Sequence, residues 1–192
     1  MRTIGIVLAG GLSRRYGSPK ALVKLGNKYY YELAYEALEP ACHSVIVVGR
    51  PEYDHLLKKT GPVILDKPEF AGLGPLAGIY SVMDAYDADQ YMILPCDMPY
   101  ISSDIMNALL ASYDGEDVLA VEADGHDHPL VAVYSNRMKP IIRAALEDGR
   151  YGVMHLLNEV QVRWIDGWGL VSDIESNSHA FYNVNTPAEL QQ

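Results

Sequence analysis

From residue 3 to residue 94 the chain switches repeatedly between short β-branched runs and longer amphipathic stretches. A run with period near 2 and a stretch with period near 3.6 each hide one apolar face, and their strict alternation is the pattern of a parallel sheet covered by helices. Strands are expected at Thr3–Leu8, Ser44–Gly49, 62–65 and 90–94, with helices at 28–39, 51–59 and Pro75–Ala85 between them. A helix over 102–112 follows. The rhythm then changes to runs at 117–123, 130–134 and 161–165, of which the first two have no helix between them, so an antiparallel component is expected there. Pro140 begins or kinks a helix running toward Leu146, and Gly149 can end it. The expected fold class is α/β: one domain over 1–192, a three-layer α/β/α sandwich on a mixed, mostly parallel sheet. In such a sheet, ligands bind at the carboxyl ends of the parallel strands.

Composition narrows the function classes. The 49% hydrophobic content suits a continuous core, no apolar run approaches the roughly 18 residues that cross a bilayer, and no secretory leader is legible, so a cytosolic protein without a membrane partner is expected. Cys42 and Cys96 have no zinc-motif spacing and read as reduced, buried thiols, while His126 and His128 make only a weak metal argument, so no zinc is assigned. A net charge of −10 argues against nucleic acid as a partner. The charge is unevenly placed. Residues 1–31 carry Arg2, Arg14, Arg15, Lys20, Lys24 and Lys28 and no acid, a balance of +6, which leaves −16 for the rest. That asymmetry marks either an anion site or a solvated basic face.

The segment after the first strand favours the anion site. It reads Leu8-Ala9-Gly10-Gly11-Leu12-Ser13-Arg14-Arg15-Tyr16-Gly17-Ser18-Pro19-Lys20. Adjacent glycines let backbone N–H groups approach phosphate oxygens, and Arg15 and Lys20 add charge. Neither the dinucleotide G-x-G-x-x-G nor the P-loop G-x-x-x-x-G-K-[ST] is present. The second signal is Leu94-Pro95-Cys96-Asp97-Met98-Pro99, an aspartate between two prolines after an apolar strand. Asp97 there is either a turn residue or a ligand for Mg²⁺, which takes one or two carboxylates and leaves its other positions to water and phosphate. The three tyrosines Tyr29 to Tyr31 at a helix start cannot share one face, so at least one ring is core, and Met83, Met106 and Met154 read as gap fillers.

Together the two motifs resemble those of the MobA-type NTP transferases, the molybdenum cofactor guanylyltransferases. Gly74-Pro75-Leu76-Ala77-Gly78, Asp127-His128-Pro129 and Phe181-Tyr182-Asn183-Val184-Asn185-Thr186-Pro187 are similar to that family too, so the likeness runs nearly the whole length; Tyr16 departs from it, standing where relatives commonly carry methionine. The resemblance implies a Rossmann-like nucleotidyltransferase fold that transfers GMP from GTP to the phosphate of molybdopterin and releases pyrophosphate. It implies GTP phosphates along Leu8, Ala9, Gly10, Gly11 and Lys20, with Asp66 on the nucleotide and Asp97 on both nucleotide and Mg²⁺. Lys20, Asp97 and Arg15 would be the catalytic groups, and Asn183, Asn185 and His128 the acceptor side. Read alone, Asp66 is a loop carboxylate, Asn183 and Asn185 cap a short helix beginning near Thr186, and Asp127 to Pro129 form a turn. A GTP-binding companion protein and recipient molybdoenzymes are implied by the resemblance alone. The two main motifs also serve cytidylyl and sugar nucleotidyl transfer, so a cytidylyltransferase or a non-enzymatic molybdopterin-binding adaptor stays open.

Overall fold

A computed structural model describes residues 1–11, 19–57, 60–172 and 178–184. The leading half builds β1 (Thr3–Leu8), a small hairpin of β2 (Lys24–Leu25) and β3 (Lys28–Tyr29), then α1 (Tyr30–Leu38), β4 (Ser44–Gly49), α2 (Asp54–Leu57), β5 (Val63–Leu65), α3 (Pro75–Ala85) and β6 (Gln90–Pro95). After these come α4 (Ser103–Ala111), β7 (Val118–Ala123), β8 (His126–Ser135), α5 (Met138–Glu147), α6 (Val153–Leu157) and β9 (Val162–Asp166).

Seven strands form one sheet in the order β5-β4-β1-β6-β8-β7-β9. Neighbours pair in parallel except at β8, which runs against both β6 and β7. The expected mixed, mostly parallel sheet is therefore present. Alternation along each strand sends residues to two cores. On one face Val7, Val47, Leu94, Leu119 and Val133 pack with Tyr30, Tyr31 and Leu38 of α1 and Met106 and Leu109 of α4. On the other, Ile4, Ile6, Ile46, Ile93 and Ala132 meet α3, α5 and Leu156 and Leu157 of α6. Those are the three layers.

Several local expectations need correction. Lys28 and Tyr29 pair with Lys24 and Leu25 across a turn in which Gly26 has φ +62, so α1 starts at Tyr30 and not at 28. A backbone donor already committed to a hairpin cannot also enter a helix. α2 is one described turn, and α6 lay outside the expectation. Pro140 is the third residue of α5, where a missing N–H costs no helical hydrogen bond, so it lies in the opening turn and does not kink the helix. Gly149 follows that helix with φ +74. β8 starts four residues before the expected 130. Met83 and Met106 are buried, but Met154 is exposed, and Cys42 is only half-buried while Cys96 is buried. Burial pushes the Cys42 thiol up to about 12, which keeps it protonated.

Strand order decides where a ligand goes. From β1 the chain passes to β4 and β5 on one side, then crosses to β6 on the other, so β1 and β6 flank the point where the connections part. Above it the carboxyl ends of neighbouring parallel strands open a crevice.

Candidate active site

A cavity of about 830 Å³ occupies that crevice. Gly10 and Gly11 rise from β1 into its wall, and Leu8 lies opposite Pro95 at the end of β6. The Cys96 N–H donates to the Leu8 carbonyl at 3.2 Å, tying the two strand ends together. Ala9 does not line the cavity. It is buried, its N–H donates to the Val48 carbonyl, and its carbonyl accepts from the Tyr53 hydroxyl at 2.8 Å. Ala9 thus braces the loop while its neighbours face the ligand space. Burial pushes the Tyr53 hydroxyl up to about 12, so it remains a donor throughout the physiological range.

Lys20 opens a single 3₁₀ turn, Lys20–Leu22, and returns to the crevice. Its Nζ lies 2.9 Å from Asp97 Oδ2. Both side chains are largely covered, at 15% and 23% exposure, so this ion pair is less screened than a surface one. Asp97 stands two residues past the end of β6, and its backbone carbonyl accepts from the Val184 N–H at 2.9 Å. That bond draws the segment 178–184 against the strand end and sets Asn183 in the cavity wall.

Asp66 follows β5 on the far side. Its Oδ2 accepts from the Gly72 N–H at 3.0 Å. Burial raises its carboxyl above the ordinary aspartate range, against the pull of the Gly72 N–H and the Arg50 cation. The neighbouring Lys67 N–H donates to Ser81 Oγ, which itself donates to the Ala77 carbonyl, so the Asp66 loop is anchored on α3. α3 comes close because Gly78 has no side chain; a Cβ there would stand 2.9 Å from Val48 Cγ1 and 3.5 Å from Asp66 Oδ1.

His128 reaches the cavity through an irregularity. Ala120 pairs with Ala132 but Val121 pairs with His128, so Pro129, Leu130 and Val131 form a bulge in β8. Proline cannot donate to the ladder, and the extra residues bend Asp127 through Val131 toward the cavity, which they line. Burial, then the neighbouring His126, lowers the His128 pKa, so its imidazole is neutral at pH 7. Its ring lies 6.0 Å from Phe181, whose ring meets Trp168 edge-on at 5.3 Å.

Of the residues singled out from sequence, Leu8, Gly10, Gly11, Lys20, Asp66, Asp97, His128 and Asn183 line one cavity. Arg15 and Asn185 lie outside the described residues. Arg50 and Tyr53 were missed. Arg50 follows β4 directly, and the end of a parallel strand was the available signal; nothing in the sequence ties Tyr53 to Ala9, 44 positions away. Among the described residues the cavity wall carries Lys20 and Arg50 against Glu52, Asp66, Asp97 and Asp127. A polyphosphate would add further negative charge. That balance fits a divalent cation at Asp97, with phosphate oxygens and water completing its shell.

A family model described as the MobA-like NTP transferase domain matches residues 5–163. A protein of Bacillus cereus strain AH820 named probable molybdenum cofactor guanylyltransferase is 37% identical over 98% of this chain and 94% of its own length. Molybdopterin-guanine dinucleotide biosynthesis protein A from Archaeoglobus fulgidus superposes with a TM-score of 0.80 at 24% identity, covering 98% of this chain and 95% of that one. A nucleotidyl transferase from Methanothermobacter reaches a TM-score of 0.71 at 15% identity, covering 99% and 94%. These two likenesses bear on the fold.

Proposed function

Because this chain belongs to the MobA-like NTP transferase family, we propose that it is a molybdenum cofactor guanylyltransferase, moving GMP from GTP to the terminal phosphate of molybdopterin. The observation that carries the reading is the meeting of Lys20 with Asp97 beside Gly10 and Gly11 at the strand switch point. A cation, a carboxylate beyond a strand end and glycine backbone around one space are what a triphosphate and its metal require.

In the proposed reaction an oxygen of the acceptor phosphate attacks the α-phosphorus of GTP in line. A new P–O bond forms, the bond between the α-phosphorus and its bridging oxygen breaks, and pyrophosphate leaves with that electron pair. A phosphate monoester has its second pKa near about 6, so the nucleophile is anionic at neutral pH and needs no general base. The difficulty is charge. Lys20 releases Asp97 and turns its ammonium to the phosphates, the amides of Gly10 and Gly11 donate to phosphate oxygens, and Arg15 adds a further cation. Asp97 would hold Mg²⁺, which when bound supplies charge neutralisation and polarises the α-phosphate. His128, neutral, and Asn183 offer hydrogen bonds on the acceptor side without adding charge.

The test is transfer of α-labelled nucleotide to molybdopterin, with all four NTPs compared in the presence and absence of Mg²⁺. The expected result is Mg²⁺-dependent labelling from GTP with stoichiometric pyrophosphate. Efficient labelling from CTP in place of GTP would make the chain a cytidylyltransferase. Nucleotide or acceptor binding without pyrophosphate release would make it an adaptor.

A further inference from the structure

Arg50 lines the cavity but has no part in the phosphate chemistry above. Its stem runs over the glycine loop, with Cγ 3.6 Å from where a Cβ on Gly10 would stand. Its Nε lies 3.4 Å from Glu52 Oε2, a carboxylate 64% exposed and therefore a weak competitor for the guanidinium. The same cation acts on Asp66, so the two groups share the region beyond the loop.

Strand order gives the cavity a direction. Asp97 stands at β6, the glycine loop at β1, Arg50 at β4 and Asp66 at β5. With strands about 4.8 Å apart, Asp66 stands roughly 15 Å from Asp97, three spacings along the sheet. A nucleoside triphosphate whose phosphates lie between the loop and Asp97 therefore extends its base toward β4 and β5. The floor there, with Gly72, Gly74, Pro75 and Gly78, carries little side-chain bulk and leaves room for a flat ring.

We infer that Arg50 selects the base: its guanidinium donates to O6 and N7 of guanine, while Asp66 accepts from the N1–H and the N2 amine. The fork of a guanidinium matches the adjacent O6 and N7 acceptors, and a carboxylate matches two adjacent donors. Adenine places an amine where guanine has O6, so it would set a donor against Arg50. Cytosine has no imidazole edge to offer it. The inference rests on the guanylyl reading and adds the residue that enforces it.

The test compares binding of GTP, 7-deaza-GTP, ITP and CTP, each with Mg²⁺, to the native chain and to Arg50→Ala, Arg50→Lys and Asp66→Asn by calorimetry. The native chain should bind GTP about 10-fold or more tightly than 7-deaza-GTP, which lacks the N7 acceptor. In Arg50→Ala that preference should disappear, with GTP and 7-deaza-GTP binding equally, while Arg50→Lys, whose ammonium can still donate to one acceptor, should keep part of it. ITP, which lacks the N2 amine, should bind less tightly than GTP to the native chain but no less tightly to Asp66→Asn. Equal native affinity for GTP and 7-deaza-GTP overturns the inference without any variant. So does an equal loss for GTP, 7-deaza-GTP and CTP in Arg50→Ala, which would place the guanidinium on phosphate or ribose. A native chain that binds CTP as tightly as GTP would instead overturn the guanylyl reading itself.

Discussion

Lys20 and Asp97 are 77 positions apart in the chain and 2.9 Å apart in space, and the proposed reaction gives the two opposite contributions to a triphosphate site. Asp97→Ala should lower turnover by about 10²-fold or more, because in the proposed reaction the metal ion at the α-phosphate would lose its anchor; near-normal Mg²⁺-dependent turnover would remove Asp97 from the chemistry. Lys20→Ala should raise KM for GTP and lower kcat together, and unchanged kinetics would dismiss the cradle. Tyr53→Phe removes the donor to a buried carbonyl of the loop, a loss of about 1–3 kcal/mol in denaturant unfolding. Asp66 gives the pH dependence. Its carboxyl is raised in the folded chain, so the native state holds the proton more tightly than the unfolded one. Stability is then undiminished below the unfolded pKa and falls as pH rises through the folded one. Asp66→Asn should therefore be the more stable chain at about pH 7, with the gap closing toward about pH 4, while binding GTP less well. Thermal melts across that range would show it, and a variant less stable at neutral pH contradicts it.

At the level of elements, the site depends on close approaches that leave no room for a side chain. Gly78 lets α3 meet the ends of β1 and β4, and Gly78→Ala should cost about 1–3 kcal/mol and displace the Asp66 loop together with the helix. Gly167 plays the same part beneath Phe181 and the segment 178–184. A Cβ on it would fall 2.6 Å from Phe181 Cζ and 2.7 Å from Val121 Cγ1, so Gly167→Ala must push Phe181 outward. Phe181 belongs to the segment that reaches Asp97 through the Val184 N–H and places Asn183, so this substitution should loosen that segment. Amide exchange at Val184 should quicken, and KM for the acceptor should rise more than KM for GTP. Unaltered exchange would show that the segment is held by other contacts.

For the molecule as a whole, nucleotide binding and stability are linked. The crevice joins β5, β4, β1, β6 and β8 with the 178–184 segment, so a ligand there braces most of the sheet. GTP with Mg²⁺ at 100 times its Kd should stabilise the chain by about 2.7 kcal/mol, a rise in Tm of roughly 5–10 °C for a domain near this size. Lys20→Ala should erase most of that rise at the same GTP concentration, as scanning calorimetry would record.

Much of this was legible in the residues. Period-2 and period-3.6 runs follow from the geometry of single elements, so the order of the seven main-sheet strands and the longer helices, the two-faced core and the change of rhythm after residue 112 could be read from the residues alone, whereas the β2/β3 hairpin and α6 could not. The loop of Gly10 and Gly11, Lys20, and Asp97 between its prolines were legible too, because each chemical signal is local to its own motif. Pairings between distant segments were not. The irregular register that turns His128 inward, the Tyr53 brace on Ala9, the arrival of Arg50 beside Gly10 and the bond from Val184 to Asp97 all join residues whose separation leaves no periodic trace. The sequence by itself determined the seven strands of the main sheet, most of the helices and the motifs from which the proposed chemistry is drawn, since those follow from local sterics and side-chain type. Only the tertiary structure decided the strand order β5-β4-β1-β6-β8, and with it which of those residues share one crevice.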